Sequence, residues 1–206
     1  MCHRRFGWII LITVVLTSVS CIKPPPVVDT RLYSLNQKGI IENPSKPKSS
    51  LILGVRAFEC SSSIESRMLY RTSPVQIGYY EFERWAEPPG EMLTQAFVGA
   101  LTDSGLFQMA VREEHYPVSA FSRIVSGRLE RFEEDHTTMP STALCVCEIE
   151  IYDPKKDKLV FKKSYSAREP LEEDNAENFA RSMNKAVKRL MQEFIRDIEN
   201  SVSSEQ

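Results

Sequence analysis

The clearest periodic signal in the chain lies near its end. Phe179, Met183, Val187, Leu190, Phe194 and Ile198 recur at intervals of three or four, the spacing that lays one apolar stripe along a helix. Asp174 stands ahead of the stripe as a candidate N-cap, with Glu177 placed to reach back in a capping box. Glu172 and Glu173 precede the positive end of this helix, while Lys185, Lys188, Arg189 and Arg196 lie further along, a distribution that suits the helix dipole. A shorter helix follows Pro88-Pro89-Gly90, because a proline in the first turn lacks only an N–H that would have had no helical partner. Its predicted face is Leu93, Ala96, Phe97, Ala100 and Leu101, and Gly105 ends it as a left-handed cap. Both stripes read as core packing before they read as surfaces for a partner helix.

The remaining pattern is strand-like. Residues 30–35 and 51–58 have strand composition, and the second is the nearly continuous apolar run of a buried strand. Residues 64–72 and 76–82 flank Ser73-Pro74-Val75, which predicts a hairpin. Strands are also predicted over 106–111, 122–134, 144–152 and 159–165, the last two joined by a lysine-rich tip, residues 153–158. The alternation of 122–134 falters around Gly127 and predicts a bulge there. These elements predict a single α+β domain over residues 51–206, a mainly antiparallel or mixed sheet packed by two amphipathic helices.

The start of the chain follows different rules. Arg4 and Arg5 precede an apolar segment, Phe6 to Leu16, of signal-peptide length, and the small or compact Ser18-Val19-Ser20 lead into Cys21. This order resembles the bacterial lipobox, with Ser18 in place of the usual leucine. It predicts a lipoprotein signal peptide over 1–20 and Cys21 as a lipidated, membrane-anchoring N-terminus. In the lipoproteins it resembles, an aspartate just after the cysteine commonly retains the protein in the inner membrane of a Gram-negative cell; with Ile22 at that position, the resemblance favours the outer membrane. Pro24-Pro25-Pro26 and Asn43-Pro44-Ser45-Lys46-Pro47-Lys48 predict a tether over 21–50 that carries a short first strand.

Removing residues 1–20 takes away Arg4 and Arg5 and no acid, leaving 24 basic against 28 acidic residues, a net charge of −4. That balance argues against nucleic acid as a partner. Three cysteines remain beyond Cys21. Strand alternation places Ala143, Cys145, Cys147, Ile149 and Ile151 on one face, with Glu148 and Glu150 on the other, so Cys145 and Cys147 read as small core residues. A disulfide from Cys60 to either of them stays open. His115 and His136 fall in no zinc-ligand spacing, no glycine pattern cradles phosphate, and no nucleophile stands in a known motif. Glu133-Glu134-Asp135 reads as a solvated run beside a turn. Together these exclude a recognisable enzyme and predict no metal and no cofactor beyond the covalent lipid on Cys21.

The segment RMLYRTSPVQIGYYEFERWAEPPGEMLTQAFVGALTDSGLF, Arg67 to Phe107, combines a Tyr-Arg strand, a tyrosine pair, an Arg-Trp-Pro corner and a helix ending in Ser-Gly-Leu-Phe. With Gly127-Arg128-Leu129-Glu130, the C-terminal helix and the lipobox start, it resembles the auxiliary lipoprotein of ABC-type transport systems. The resemblance implies an accessory of a permease, an ATPase and a periplasmic protein bearing a mammalian-cell-entry domain, in a system that moves phospholipid or other hydrophobic molecules. It leaves open whether the domain itself holds phospholipid and whether it forms a homo-oligomer. A structural or regulatory outer-membrane lipoprotein acting on cell-wall machinery is the alternative. Arg71, Tyr79, Tyr80, Arg84 and Trp85 are the candidates for contact with partner or lipid. The competing reading has Tyr70, Tyr79, Tyr80, Phe82 and Trp85 wedging the hairpin against the first helix, with Trp85 filling the corner before Pro88. Lys155, Lys156 and Lys158 read as a solvated tip that could touch anionic head groups.

Overall fold

The computed structural model describes residues 28–36 and 47–203; the signal segment, Cys21, the proline run and most of the predicted tether lie outside them. Among the described residues nine strands form one mixed sheet, arranged around β7 (Arg123–Asp135). On one side β7 pairs along its length with antiparallel β8 (Thr142–Asp153), which in turn pairs with antiparallel β9 (Lys158–Pro170). Its other side is shared in succession by β2 (Ile52–Val55), β3 (Glu59–Cys60) and β4 (Arg67–Ser73), all parallel to it. Strand β6 (Met109–Arg112) extends the sheet beyond β2, while β5 (Gln76–Trp85) and then β1 (Arg31–Tyr33) extend it beyond β4.

Helices α1 (Pro89–Asp103) and α2 (Ala176–Ser203) share one core with the sheet. The predicted faces of both are buried: Leu93, Ala96, Phe97, Ala100 and Leu101 on α1, and Phe179, Met183, Val187, Leu190, Phe194 and Ile198 on α2. Phe194 ties the layers together, its ring 5.4 Å from Phe97 of α1 and 5.8 Å from Tyr165 of β9. Gly105, at φ 64°, ends α1 in the left-handed conformation. Among the described residues no helix is long and apolar enough to cross a membrane. Cys145 and Cys147 are buried core thiols, and among the described residues neither they nor Cys60 form a disulfide.

Three local expectations are corrected. The cap of α2 is Asn175, whose side-chain oxygen accepts from the Asn178 N–H at 2.9 Å, which releases Asp174 for other contacts. The bulge in β7 falls between Leu129 and Arg131, not at Gly127. Gly127 is needed for space instead, since a Cβ there would stand 2.2 Å from the Phe58 ring. Finally, the run Glu133-Glu134-Asp135 is not solvated: the three residues are 3%, 0% and 1% exposed.

Candidate functional site

The bulge at Leu129–Arg131 resets the alternation of β7 before its end. Beyond it Phe132, Glu134 and His136 turn toward the helices, while Arg131, Glu133 and Asp135 turn away. A second, wider bulge lies in β5, where Arg84 pairs with Arg67 and Tyr79 with Leu69, so that Tyr80 to Glu83 stand opposite Met68 alone. These two irregularities set the position of nearly every candidate side chain.

On the outer face, the Arg71 guanidinium grips Glu133 with two nitrogens, at 2.7 and 3.1 Å, and Arg131 donates to the same carboxylate. Arg168 donates to Asp135 at 2.7 Å. Burial alone would push the Asp135 carboxyl upward; the Thr137 hydroxyl and the Arg168 guanidinium outweigh it and hold its pKa at about 2. Three arginines thus neutralise two buried acids.

The inner face is built differently. Tyr80, carried inward by the β5 bulge, donates its hydroxyl to Glu134 Oε2 at 2.6 Å. Burial and that acceptance push the Tyr80 phenol well above its usual range. Among the described residues Glu134 Oε1 has no hydrogen-bond partner, and it faces His136 Nε2 at 3.3 Å. Burial raises the Glu134 carboxyl, against the opposing effects of the Tyr80 hydrogen bond and of His136. Asp174, at the start of α2, brings a third ligand atom, and the group Glu134, His136 and Asp174 lies within 4.8 Å of one another. These are the residues that could hold a metal ion, contrary to the expectation from His136 alone. A cleft of about 460 Å³ opens beside them, walled by Arg31, Tyr33, Tyr80, Glu83, Asp174 and Glu177.

The five predicted contact residues therefore part company. Arg71 belongs to the outer ion-pair network and Tyr80 to the inner cluster. The Tyr79 hydroxyl donates to the Ser63 carbonyl, and its ring lies 3.9 Å beneath the Arg67 guanidinium. The Arg84 guanidinium donates to the carbonyls of Tyr80 and Glu83, at 2.9 and 3.0 Å, and so closes the bulge. Trp85 is 2% exposed, its ring 5.1 Å from Phe132 and 5.6 Å from Phe179. It wedges the hairpin against α2, where the sequence pointed to the first helix. Sequence reasoning missed Glu134, His136 and Asp174 as a group. The Glu-x-His spacing at a strand end was visible, but nothing local announced Asp174.

Residues 33–194 match the family model of the ABC-type transport auxiliary lipoprotein component. No curated protein matches the sequence. Among solved structures, the fold is similar to that of a Xanthomonas campestris protein, at 19% identity and a TM-score of 0.71, over 86% of this chain and 100% of that one. It is also similar to an uncharacterized protein at 13% identity, with a TM-score of 0.66 over 83% and 99% of the two chains. A hypothetical protein of Chlamydia trachomatis follows at 8% identity, with a TM-score of 0.52 over 73% and 96%. At such identities the likeness concerns the fold.

Proposed function

Because the chain belongs to the ABC-type transport auxiliary lipoprotein family, we propose that it is a non-catalytic accessory docked on the mammalian-cell-entry component of a transporter for phospholipid or another hydrophobic molecule. In this reading acyl chains on Cys21 hold it to the periplasmic face of the outer membrane. The family match across nearly all of the folded body carries the proposal.

The character of the clefts favours docking over lipid carriage. The cleft at the start of α2 and a second of about 440 Å³ on the sheet, lined by Arg56, Glu59, Arg128, Glu130, Glu148 and Lys162 among others, are walled by charge. An acyl chain calls for apolar walls. The edge that β1 and the β5 bulge form among the described residues offers a better contact: Leu32 is 65% exposed and in register with Arg84, and Phe82 is 36% exposed. Apolar side chains beside a guanidinium suit the centre of a protein interface.

Crosslinking in intact cells tests this. The wild-type chain is expected to capture the mammalian-cell-entry component, and Phe82→Glu or Leu32→Glu to reduce capture about tenfold or more, as loss of a central interface contact would. Reversing Lys155 and Lys156 should leave capture intact. Arg71 is a poor probe, because its reversal would set a carboxylate against buried Glu133. Capture of a cell-wall synthase, with no transporter component, would favour a structural or regulatory lipoprotein instead.

A further inference from the structure

Glu134 is fully buried, yet among the described residues only one of its two carboxylate oxygens finds a hydrogen-bond partner. An unmet buried acceptor is costly and is rarely left so without a ligand or a role. The unmet oxygen, Oε1, points at His136 Nε2, and the other ring nitrogen of His136 is engaged at 3.1 Å by the Ser141 hydroxyl. Tyr70 packs edge-on against the imidazole, ring centres 5.8 Å apart. Ser141 and Tyr70 thus fix the ring with Nε2 toward Glu134, and Tyr80 fixes the carboxylate. Such outer hydrogen bonds are what orient metal-binding side chains.

We infer that Glu134, His136 and Asp174 form a binding site for a divalent transition-metal ion of the zinc type. Two ligands each about 2.0–2.1 Å from a tetrahedral zinc stand roughly 3.3–3.4 Å apart. Glu134 Oε1 and His136 Nε2 are already 3.3 Å apart. Asp174 completes the set from within 4.8 Å, and as an exposed side chain it is free to swing through the remaining distance. One imidazole and two carboxylates form a nitrogen and oxygen donor set that suits zinc and its neighbours; magnesium and calcium favour sites built from oxygen alone. Three protein ligands leave a fourth position for water or a group from a partner. The inference stands on this geometry and is independent of the docking reading.

The full chain, purified in detergent and stripped with chelator, is titrated with zinc alone and separately with cobalt(II). One zinc per chain is expected to bind, with a rise in melting temperature, and cobalt is expected to give the visible absorption of a low-coordinate site. Loss of an outer hydrogen bond costs about 10- to 100-fold in metal affinity, so Ser141→Ala should weaken zinc about tenfold and His136→Ala or Asp174→Asn by about 100-fold or more. His115→Ala should bind as wild type. Asp174→Asn changes an exposed side chain, and melting of this variant in chelator at the wild-type temperature shows the fold intact; it decides the matter if His136→Ala does not fold. Absence of a saturable zinc site in the wild type, or equal zinc affinity in the wild type and Asp174→Asn, overturns the inference.

Discussion

The two faces of β7 at its C-terminal end carry the same kind of charge and settle it in opposite ways. Outward, Glu133 and Asp135 meet Arg71, Arg131 and Arg168, and every carboxylate has a guanidinium. Inward, Glu134 meets a phenol and an imidazole, with Asp174 adding a further negative charge. A buried carboxylate ringed by arginines is a structural ion pair, and removing one partner is what harms it. A buried carboxylate beside another acid, without a full counter-charge, is a place where a cation would be welcome. The difference between neighbouring residues comes from one extra residue at Leu129–Arg131, which decides the face each acid takes.

The largest expected effect concerns the apolar floor beneath the inner face. Trp85→Ala should cost about 3–5 kcal/mol in chemical denaturation, the usual loss for truncating a fully packed large aromatic. Unchanged stability together with lost partner capture would return Trp85 to the docking surface. Next comes a pair of matched substitutions that measures the contrast directly. Glu133→Gln should cost about 2 kcal/mol, because Arg71 and Arg131 lose their shared counter-charge while keeping some access to water. In metal-free buffer Glu134→Gln should change stability by less than about 0.5 kcal/mol, since the amide oxygen still accepts from Tyr80 and the charge is relieved. Equal losses would erase the distinction between the faces.

A further contrast between the faces is a matter of pH. Asp135 is held at about 2 in the folded chain, against roughly 3.9 unfolded, so its contribution of about 2 kcal/mol is present above pH ~4 and lost as pH falls through the folded value. Asp135→Asn should flatten that acid limb in denaturation profiles. Glu134 has the opposite sign: its raised carboxyl pKa favours the protonated form in the fold. Its contribution therefore declines as pH rises past the ordinary glutamate range, and Glu134→Gln should remove that decline.

Much of this was legible in the residues. The stripes of both helices, the hairpin about Ser73-Pro74-Val75, the core placing of Cys145 and Cys147 and the Gly105 cap are repetitive or local features, and periodicity reports them well. The bulges were not legible, because an extra residue leaves no mark beyond a broken alternation, and Gly127 attracted the assignment for want of a better marker. Glu133-Glu134-Asp135 read as solvated because three successive acids are buried only when partners come from elsewhere. Those partners, Arg71, Arg168 and Tyr80, lie between about 30 and 65 positions away. Asp174 likewise joins His136 only because α2 begins where β7 ends.

The parallel pairing of β1 with β5 has a mechanical consequence. Arg31 is locked in register with Glu83 and joined to it by an ion pair, so the chain is fastened to the body there. With acyl chains on Cys21, as proposed, ten links separate the anchor from Arg31. Fully stretched, they reach at most about 35 Å. The loop between β1 and β2 adds nothing to this length, since both of its ends belong to the folded body. So anchored, the edge bearing Leu32 would stay within a short, calculable distance of the bilayer surface, and a transporter component docking there would have to come to the membrane to meet it.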